Sequence, residues 1–214
     1  MTAETRASRR AQPSGGMELE VRGPDLSLRY GRPDDAPRLF ELASQPEVTR
    51  YFSWGPYTTE RQAVDYIDNL ARKRAEGERL ELVIDHREAG VIGVTGLSEF
   101  SLRDRRAVIG TWHGREWWGT GANRQSKTLV LALAFAGLRL GRVTAWCGSE
   151  NGRSRAALEK LGFVYEGLLR EWHVHGGEPK DVISYSMLRG EWEQSPLARE
   201  PFEIAGRIPR QFLG

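Results

Sequence analysis

Two glycines and several polar residues stand where a predicted strand gives way to a long predicted helix. Gly119 and Gly121 follow the strand that ends at His113, and the helix is expected to begin at about Ala122. Glycine lets a backbone adopt unusual dihedral angles and approach a ligand closely. The unpaired N–H groups of a helix start lie at the positive end of the helix dipole. This spacing predicts a cradle for a phosphate or pyrophosphate, although a tight turn before a helix would use the same glycines.

Two other nucleotide-binding arrangements do not fit this loop. The strand before it is the third of a hairpin series, whereas a Rossmann fingerprint opens a βαβ unit. No Lys-Ser/Thr pair directly follows the glycines, as it does in a P-loop. The pattern therefore argues against a dinucleotide in a Rossmann site and against a nucleoside triphosphate.

The elements that must position this loop alternate between strands and helices, in the order β-α-α-β-β-β-α-β-α-β-β. This order predicts a mixed α/β layer. Alternating or continuous apolar residues predict strands at 26–30, 80–85, 90–97, 107–113, 143–147, 163–172 and 182–188. Helical spacing and start signals predict helices at 33–43, 59–74, 122–140 and 151–162. Gly141 is expected to end the long helix, and Gly176-Gly177 to form the last hairpin turn.

Length and composition limit the class of protein. The chain has 214 residues, of which 39% are apolar, and a mean hydropathy of −0.53, which suits one globular domain with tails. Its 31 Lys and Arg residues nearly balance 29 Asp and Glu residues, which argues against a dedicated nucleic-acid binder. The longest apolar run, 129–138, is about half of a membrane span, so a buried helix is expected. The single Cys147 excludes an internal disulfide and suits the cytoplasm.

The two ends of the chain differ from the middle. Residues 1–23 are polar and lack a periodic apolar pattern, which predicts a flexible tail. Residues 24–189 carry the α/β pattern and are predicted to form one domain. Residues 190–214 form a C-terminal extension with enough apolar side chains to dock on that domain or to make a dimer contact: Trp192, Leu197, Phe202, Ile204 and Ile208.

A second motif identifies a family resemblance. A strand leads into a short helix that is capped by Asn151 and carries Ser154, and Glu-Lys-Leu-Gly-Phe and Glu-Gly follow at 159–163 and 166–167. With this motif the chain resembles the GNAT acyl-CoA N-acyltransferase superfamily. Within it the chain is similar to the RimJ/RimL-type group, which includes the ribosomal-protein N-terminal acetyltransferases. The resemblance covers about residues 26–188, with the same element order throughout.

The resemblance implies a GNAT fold and an acyl-CoA site. The fold would be a mixed, splayed central sheet of about six to seven strands flanked by about four helices, with acetyl-CoA in the gap. The backbone of one strand end would hold the thioester and pantetheine, at Thr111, Trp112 and His113. The following loop would hold the pyrophosphate, at Trp118, Gly119, Thr120, Gly121, Ala122 and Asn123. Asn151 would contact the pantetheine arm.

The resemblance also implies catalytic and acceptor residues. Ser154 matches a hydroxyl that can sit beside the sulfur, and Leu158 stands where many related enzymes place a Tyr general acid. A helix-start hydrogen bond is the other role open to Ser154. His173 is the first candidate for the base, with Glu99 as its rival, and a surface histidine is the plain alternative. Trp54 and Tyr57 would border the acceptor.

These observations predict an acetyl-CoA-dependent N-acetyltransferase that uses no metal and acts on a small-molecule or peptide amine in the cytoplasm. We expect a monomer or homodimer, with neither nucleic acid nor membrane as partner. One alternative is a GNAT-fold module that binds CoA without catalysis, because Glu116 replaces the family's usual Arg or Gln. Another is a nucleic-acid protein that uses Arg6, Arg9 and Arg10 of the tail.

Overall fold

One mixed sheet of nine strands runs through the part of the chain that the computed structural model describes, residues 18–213. The strand order is β7-β8-β6-β5-β4-β3-β2-β1-β9, and all neighbours are antiparallel except β5 and β6. The bounds are β1 Glu20–Arg22, β2 Leu26–Arg29, β3 Arg79–His86, β4 Gly90–Ser101, β5 Arg106–His113, β6 Arg142–Gly148, β7 Val164–His175, β8 Glu178–Leu188 and β9 Glu203–Ala205.

Helices cover the two faces of the sheet unequally. Their bounds are α1 Ala36–Ala43, α2 Pro46–Thr49, α3 Glu60–Ala75, α4 Ala122–Ala132, α5 Gly152–Lys160 and α6 Arg189–Gln194. On one face α1 and α3 pack against a cluster that contains Val83, Val94 and Trp112. On the other face α4 is buried over nearly its whole length, in the larger cluster that contains Ile84 and Ile109. The predicted GNAT fold is confirmed, with more strands and helices than expected.

The two additional strands lie together at one edge of the sheet. Val21 of β1 lies opposite Leu28 of β2 and Ile204 of β9. Leu19 and Val21 are fully buried, so the prediction of a flexible tail over 1–23 is wrong for residues 18–23. The alternation of Leu19 and Val21 is too short a pattern to predict a strand from the sequence. The strand β1 forms because it pairs with β2. Residues 1–17, with most of the predicted tail and its arginines, lie outside the described residues.

The long helix ends earlier than its sequence predicts. After α4 the chain widens into a π-helical turn, Leu133–Gly137, and the N–H of Leu138 donates to the carbonyl of Leu133 at 2.8 Å. Arg139, and not Gly141 as predicted, then takes the left-handed conformation that follows the helix, with φ 56°. The helix stops here because the widened turn no longer aligns the next N–H group with a carbonyl four residues back.

The two parallel strands in the middle of the sheet pair over only part of their length. The pairing of β5 with β6 extends from Arg106 opposite Arg142 to Ile109 opposite Ala145. Beyond it, β5 stays paired with β4, and β6 stays paired with β8. The sheet therefore splits after Ile109, and one backbone edge of residues 110–113 faces a gap instead of a strand.

A row of two glycines crosses the sheet beside this gap. Gly96 of β4 lies between Glu81 of β3 and Gly110 of β5. A Cβ atom at Gly96 would stand 2.4 Å from the carbonyl oxygen of Leu80, whereas a Cβ atom at Gly110 would meet nothing within 4 Å. Gly96 thus permits close packing of β3 and β4, and Gly110 leaves a space in the floor of the gap.

We expect Gly96→Ala to lower the free energy of unfolding by about 1–3 kcal/mol, because its methyl group overlaps the β3 backbone and the strands must separate. Gly110→Ala is the matched control and should leave stability unchanged or slightly higher. Urea denaturation of both variants measures the difference. Equal midpoints for the two variants would contradict the close-packing role of Gly96.

Candidate active site

A cleft of about 810 Å³ opens where β5 and β6 separate. Its walls come from the end of β5, from β6, from α5, from the loop that precedes α4 and from the loop between α2 and α3. The α1 and α3 layer packs on β3, β4 and β5 on one face of the sheet and does not extend over β6. The site is therefore accessible from two sides, one at the α4 start and one at the uncovered face.

The predicted cradle lies on the cleft wall. Gly121 has a left-handed conformation with φ 96° and precedes α4 without any side-chain cap, and Gly119 has φ 78°. Both glycines line the cleft, together with Trp118 and Asn123. A Cβ atom at either glycine would meet no other protein atom within 4 Å. The two glycines therefore leave open space beside the helix start, of a kind that suits an anion.

Thr120 and Ala122, predicted as contacts of the same ligand, have a different place. The Thr120 hydroxyl donates to the carbonyl of Trp117 at 2.9 Å and accepts from the N–H of Ala122 at 3.3 Å. Neither residue lines the cleft. Their visible role is to close the turn that presents the two glycines.

The end of β5 is held in place by side chains of its surroundings. The Thr111 hydroxyl lies 2.7 Å from that of Thr95, and the indole N–H of Trp118 donates to the carbonyl of His113 at 3.2 Å. His113 is buried, and its Nε2 lies 3.1 Å from the hydroxyl of Ser126. Burial, with the nearby charges of Lys127 and Arg153, lowers the pKa of His113 to about 3. His113 is thus a neutral ring that fixes β5 against α4.

Lys127 is a buried cation that the sequence pattern did not single out. Its side chain lines the cleft, and the residue is only 7% exposed. No carboxylate of residues 18–213 lies within 4.0 Å of its ammonium group. Burial lowers the pKa of Lys127 to about 8. An unpaired ammonium group in a cleft favours a ligand with negative or strongly polar oxygens.

The start of α5 brings three polar side chains to the opposite wall. The Asn151 side chain accepts a hydrogen bond from the N–H of Ser154 at 3.1 Å, so Asn151 caps this helix as predicted. The Ser154 hydroxyl lines the cleft and has no hydrogen-bond partner in the described part of the chain. Arg153, which the sequence pattern missed, places its guanidinium group 3.3 Å from the centre of the Trp118 ring. Asn151 and Ser154 are thus close together at the cleft.

The loop between α2 and α3 forms an aromatic wall. Trp54 lines the cleft, contacts Trp112 edge-on with ring centres 5.6 Å apart, and stacks on Phe52 at 5.2 Å. Tyr57 lies 5.5 Å from Trp54 but does not line the cleft. Burial and the charge of Glu81 raise the pKa of Tyr57 to about 12. Trp54 is therefore placed as a wall of the cleft, and Tyr57 supports it from behind.

Both predicted bases border the cleft at its edges. His173 is half-buried, lies edge-on to Trp146 at 6.2 Å and stacks on His175 at 5.7 Å. A bulge in β7, where Glu171 has φ 51°, shifts the register just before His173. Glu99 is exposed and also has φ 51°, within an irregular stretch of β4.

A third carboxylate, Glu81 of β3, lies in the cleft and was not predicted. Its side chain is 19% exposed, and burial raises its pKa. Leu80, Leu82, Val83 and Ile84 around it are all buried, on both faces of the strand. A lone carboxylate in a strand buried on both faces was the signal in the sequence that could have identified it.

Three acidic or polar residues near the two sequence motifs make hydrogen bonds or ion pairs within the protein. Glu116 accepts a hydrogen bond from Arg38 at 2.7 Å and does not line the cleft, so its charge is paired away from the cradle. Gln125 donates to Asp25. Glu166 pairs with Arg142 and accepts from the hydroxyl of Ser186 at 2.9 Å. None of them opposes an anion at Gly121.

Comparisons with known proteins assign the family. The family described as acetyltransferase (GNAT) domain matches residues 25–164. An N-acetyltransferase called p20, from Bacillus licheniformis, is 33% identical over 169 residues, which is 78% of this chain and 94% of p20. The chain therefore belongs to the GNAT acetyltransferase family, and by class it is an N-acetyltransferase.

Two further comparisons concern the group and the fold. YdaF of Bacillus subtilis, named as a candidate ribosomal N-acetyltransferase, is 30% identical and covers 78% of this chain and 93% of its own, which agrees with the RimJ/RimL-type resemblance. The microcin C7 self-immunity acetyltransferase MccE has a similar fold, with a TM-score of 0.69 and 22% identity over 77% of this chain and 92% of MccE. MccE was solved in complex with acetyl-CoA and AMP.

Residues 18–213 lack two features that would change the class of protein. No helix in this range is long and apolar enough to cross a membrane. Likewise, no three His, Cys, Asp or Glu side chains of this range come together in a group that could hold a metal ion.

We expect Lys127→Met to stabilise the unliganded protein near pH 7 by on the order of 3 kcal/mol, the equivalent of the difference between a pKa of about 8 and the ordinary 10.5. At pH values between these two pKa values, Lys127 carries its proton in the unfolded chain but not in the folded chain. The free energy of unfolding of the wild type therefore rises with pH. The advantage of the variant should therefore shrink as the pH rises from about 8 toward 10.5. Urea unfolding at several pH values measures it.

Lys160→Met is the control for this prediction, since Lys160 also lines the cleft but is exposed. It should leave stability unchanged at every pH. If Lys127→Met behaves in the same way, the Lys127 ammonium group is solvated or paired, and its burial does not disfavour the charge.

Proposed function

We propose that this protein transfers the acetyl group of acetyl-CoA to a primary amine that attacks the thioester directly. The observation that carries the proposal is the split between β5 and β6, with the uncapped start of α4 at one end. An unpaired strand edge offers N–H and carbonyl groups to an extended amide chain, and the helix start suits a pyrophosphate. Family membership and the acetyl-CoA complex of MccE support the same donor.

The chain's own residues fit such a donor. Gly119, Gly121 and Asn123 would hold the pyrophosphate, because the two glycines leave the helix N–H groups uncovered. Lys127 supplies a buried positive charge without a carboxylate partner among the described residues. The backbone edge of the Thr111, Trp112 and His113 stretch that faces the gap, with Asn151 opposite, would hold the pantetheine arm.

Acetyl-CoA supplies an activated acyl group whose thiolate is a good leaving group. The protein must orient the amine, stabilise negative charge on the carbonyl oxygen and return a proton to the sulfur. A backbone N–H near Trp112, on the edge that faces the split, would stabilise the negative charge on the carbonyl oxygen. The Ser154 hydroxyl is placed to return the proton to the sulfur, because it lines the cleft and has no partner in the described chain.

The acceptor is proposed as a small-molecule or peptide amine that enters from the open face beside Trp54. The name of YdaF refers to ribosomal acetylation and that of MccE to microcin C7 self immunity, and each of these roles belongs to that protein. We place the reaction in the cytoplasm, where the single buried Cys147 would stay reduced. A monomer or homodimer is sufficient, because described residues of one chain line the whole cleft.

Thiol release from acetyl-CoA tests the function against a panel of amines: Ala-, Ser- and Thr-starting peptides, a polyamine, an aminoglycoside and free amino acids. Gly121→Glu should weaken acetyl-CoA binding more than tenfold in calorimetry, since it adds bulk and negative charge at the cradle. Gly90→Glu is the control, because Gly90 has a similar φ of 71° and open surroundings but lies outside the cleft. If Gly121→Glu binds acetyl-CoA with unchanged affinity, the pyrophosphate binds elsewhere. Binding without turnover of any amine would favour the non-catalytic module.

Ser154→Ala should lower kcat by about tenfold and leave acetyl-CoA affinity nearly unchanged. A general acid contributes about 10²–10⁴-fold, and the effect is smaller here because a thiolate leaves readily. The N-terminal cap is kept, since the N–H of residue 154 still donates to Asn151. Ser154→Thr retains the hydroxyl and serves as the control. If the Ala variant turns over at the wild-type rate, Ser154 is a helix-start residue without a catalytic role.

A further inference from the structure

The cleft holds a carboxylate without a hydrogen-bond partner. Glu81 accepts no side-chain hydrogen bond from the rest of residues 18–213, and its nearest cation, Arg79 on the same strand, stays 3.8 Å away. Arg79 itself is exposed, so this contact is largely screened by water. A carboxylate that is four-fifths buried and lacks donors is costly for a fold unless something else uses it.

The row of glycines joins this carboxylate to the split. Glu81, Gly96 and Gly110 are consecutive partners across β3, β4 and β5 and lie on the same face of the sheet. Two strand spacings separate Glu81 from Gly110, about 10 Å between Cα atoms. Gly96 adds no side chain to that interval, and the side chain of Glu81 lies over it, with its Cγ 3.0 Å from where a Cβ atom of Gly96 would stand. Glu81 and Gly110 both line the cleft; Gly110 is exposed, whereas Gly96 is buried. The floor therefore forms a trough that leads from the carboxylate to the unpaired edge of β5.

Aromatic rings border this trough. Trp112 is the next residue of β5 on the trough's face, and Trp54 rests edge-on against it. Tyr57 and Tyr66 lie near enough for the charge of Glu81 to raise the pKa of each hydroxyl, beyond the effect of burial. A carboxylate at the end of an aromatic-walled trough is suited to an alkylammonium group, through charge and through the faces of the rings.

We propose that Glu81 receives the acceptor as a primary alkylammonium ion and takes the proton that the amine must lose before it attacks. This proposal rests on the proposed acetyl transfer and adds the acceptor's charge class and its base. The amine begins with three protons on nitrogen and ends with one on the amide. One proton goes to Glu81, and the other ends on the sulfur as the C–N bond forms and the C–S bond breaks.

The two bases predicted from sequence are less well placed for this step. Glu99 is exposed, so its carboxylate competes with bulk water for an ammonium group. His173 comes from β7, on the far side of the split, where its strand partner Lys180 adds a positive charge that repels an ammonium ion. Of the three candidates, only Glu81 combines negative charge and burial with a place in the cleft.

The pH dependence follows from the groups around Glu81. These are Arg79 on its own strand, Tyr57 and Tyr66 from the α3 side, Glu99 on β4, and His173 across the cleft. Burial raises the pKa of Glu81, and Arg79 opposes this rise. Since the base must be ionised, kcat/KM should fall as the pH falls through this raised pKa. A bound ammonium ion should lower the pKa again.

Glu81→Gln keeps the shape and removes the charge, so it tests the proposal directly. We expect kcat/KM for an alkylamine to fall by about 10²-fold or more, with acetyl-CoA affinity unchanged in calorimetry. Glu99→Gln is the matched control and should stay within about threefold of wild type. A Glu81→Gln variant with wild-type kcat/KM and an unchanged acidic limb would overturn the proposal.

A measurement without turnover separates this proposal from the acetyl transfer itself. In carboxyl-labelled protein, the NMR signal that Glu81→Gln removes should titrate above the ordinary Glu range and move down when n-butylammonium is added. If wild type shows this signal but releases no thiol with any amine, the acetyl transfer fails while the ammonium site stands. A signal that titrates in the ordinary range and ignores n-butylammonium would overturn the role of Glu81.

A second variant covers the case in which Glu81→Gln does not fold. Gly110→Val fills the trough without touching Glu81 or the cradle, because its side chain has open space. It should raise the acceptor KM at least tenfold and leave acetyl-CoA affinity unchanged. An unchanged acceptor KM would show that the amine does not pass over Gly110, which would also overturn the proposal.

Discussion

The separation of β5 from β6 is the constraint on which the rest of the site depends. Each strand keeps its other neighbour, so the gap costs only the hydrogen bonds along one edge of a few residues. Close contacts hold the β5 side in place: a Cβ atom at Gly93 would stand 2.1 Å from the carbonyl oxygen of Trp112. The edge that faces the gap is then a rigid set of backbone donors and acceptors, available to a ligand without rearrangement.

The gap also divides opposite charges between two faces of the sheet. The start of α4 and Lys127 make one end positive, and Arg153 joins them across the gap. Glu81 places a buried negative charge at the other end, beside an aromatic wall. A donor with phosphates and an acceptor with an ammonium group would therefore enter from different directions. Such a division would orient both substrates before any reaction takes place, which is a large part of what such an enzyme must supply.

Burial without a partner is the feature that Lys127 and Glu81 share. Each is a charged side chain in the cleft wall, and each has its pKa moved toward the neutral form. Such groups reduce the stability of the unliganded fold, since charge is poorly solvated there. A bound ligand of opposite charge would stabilise the charged form of each side chain, which burial disfavours. Perturbed groups in a cleft are a signature of function, although buried networks elsewhere can produce similar shifts.

The sequence by itself determined the family and the order of the central strands and helices, and it predicted a donor cradle. Apolar spacing, the Gly119 and Gly121 pair and the Asn151 cap are local patterns. Such patterns can be recognised in the sequence because the residues involved are near neighbours in the chain. The tertiary structure alone decided which residues share the cleft. Strand register placed Glu81 beside two glycines from other strands, and helix packing buried Lys127. Likewise, the short strands β1 and β9 exist only because they pair with each other and with β2. Contacts between residues far apart in the chain carry no local signal, because burial and register arise only when the sheet assembles.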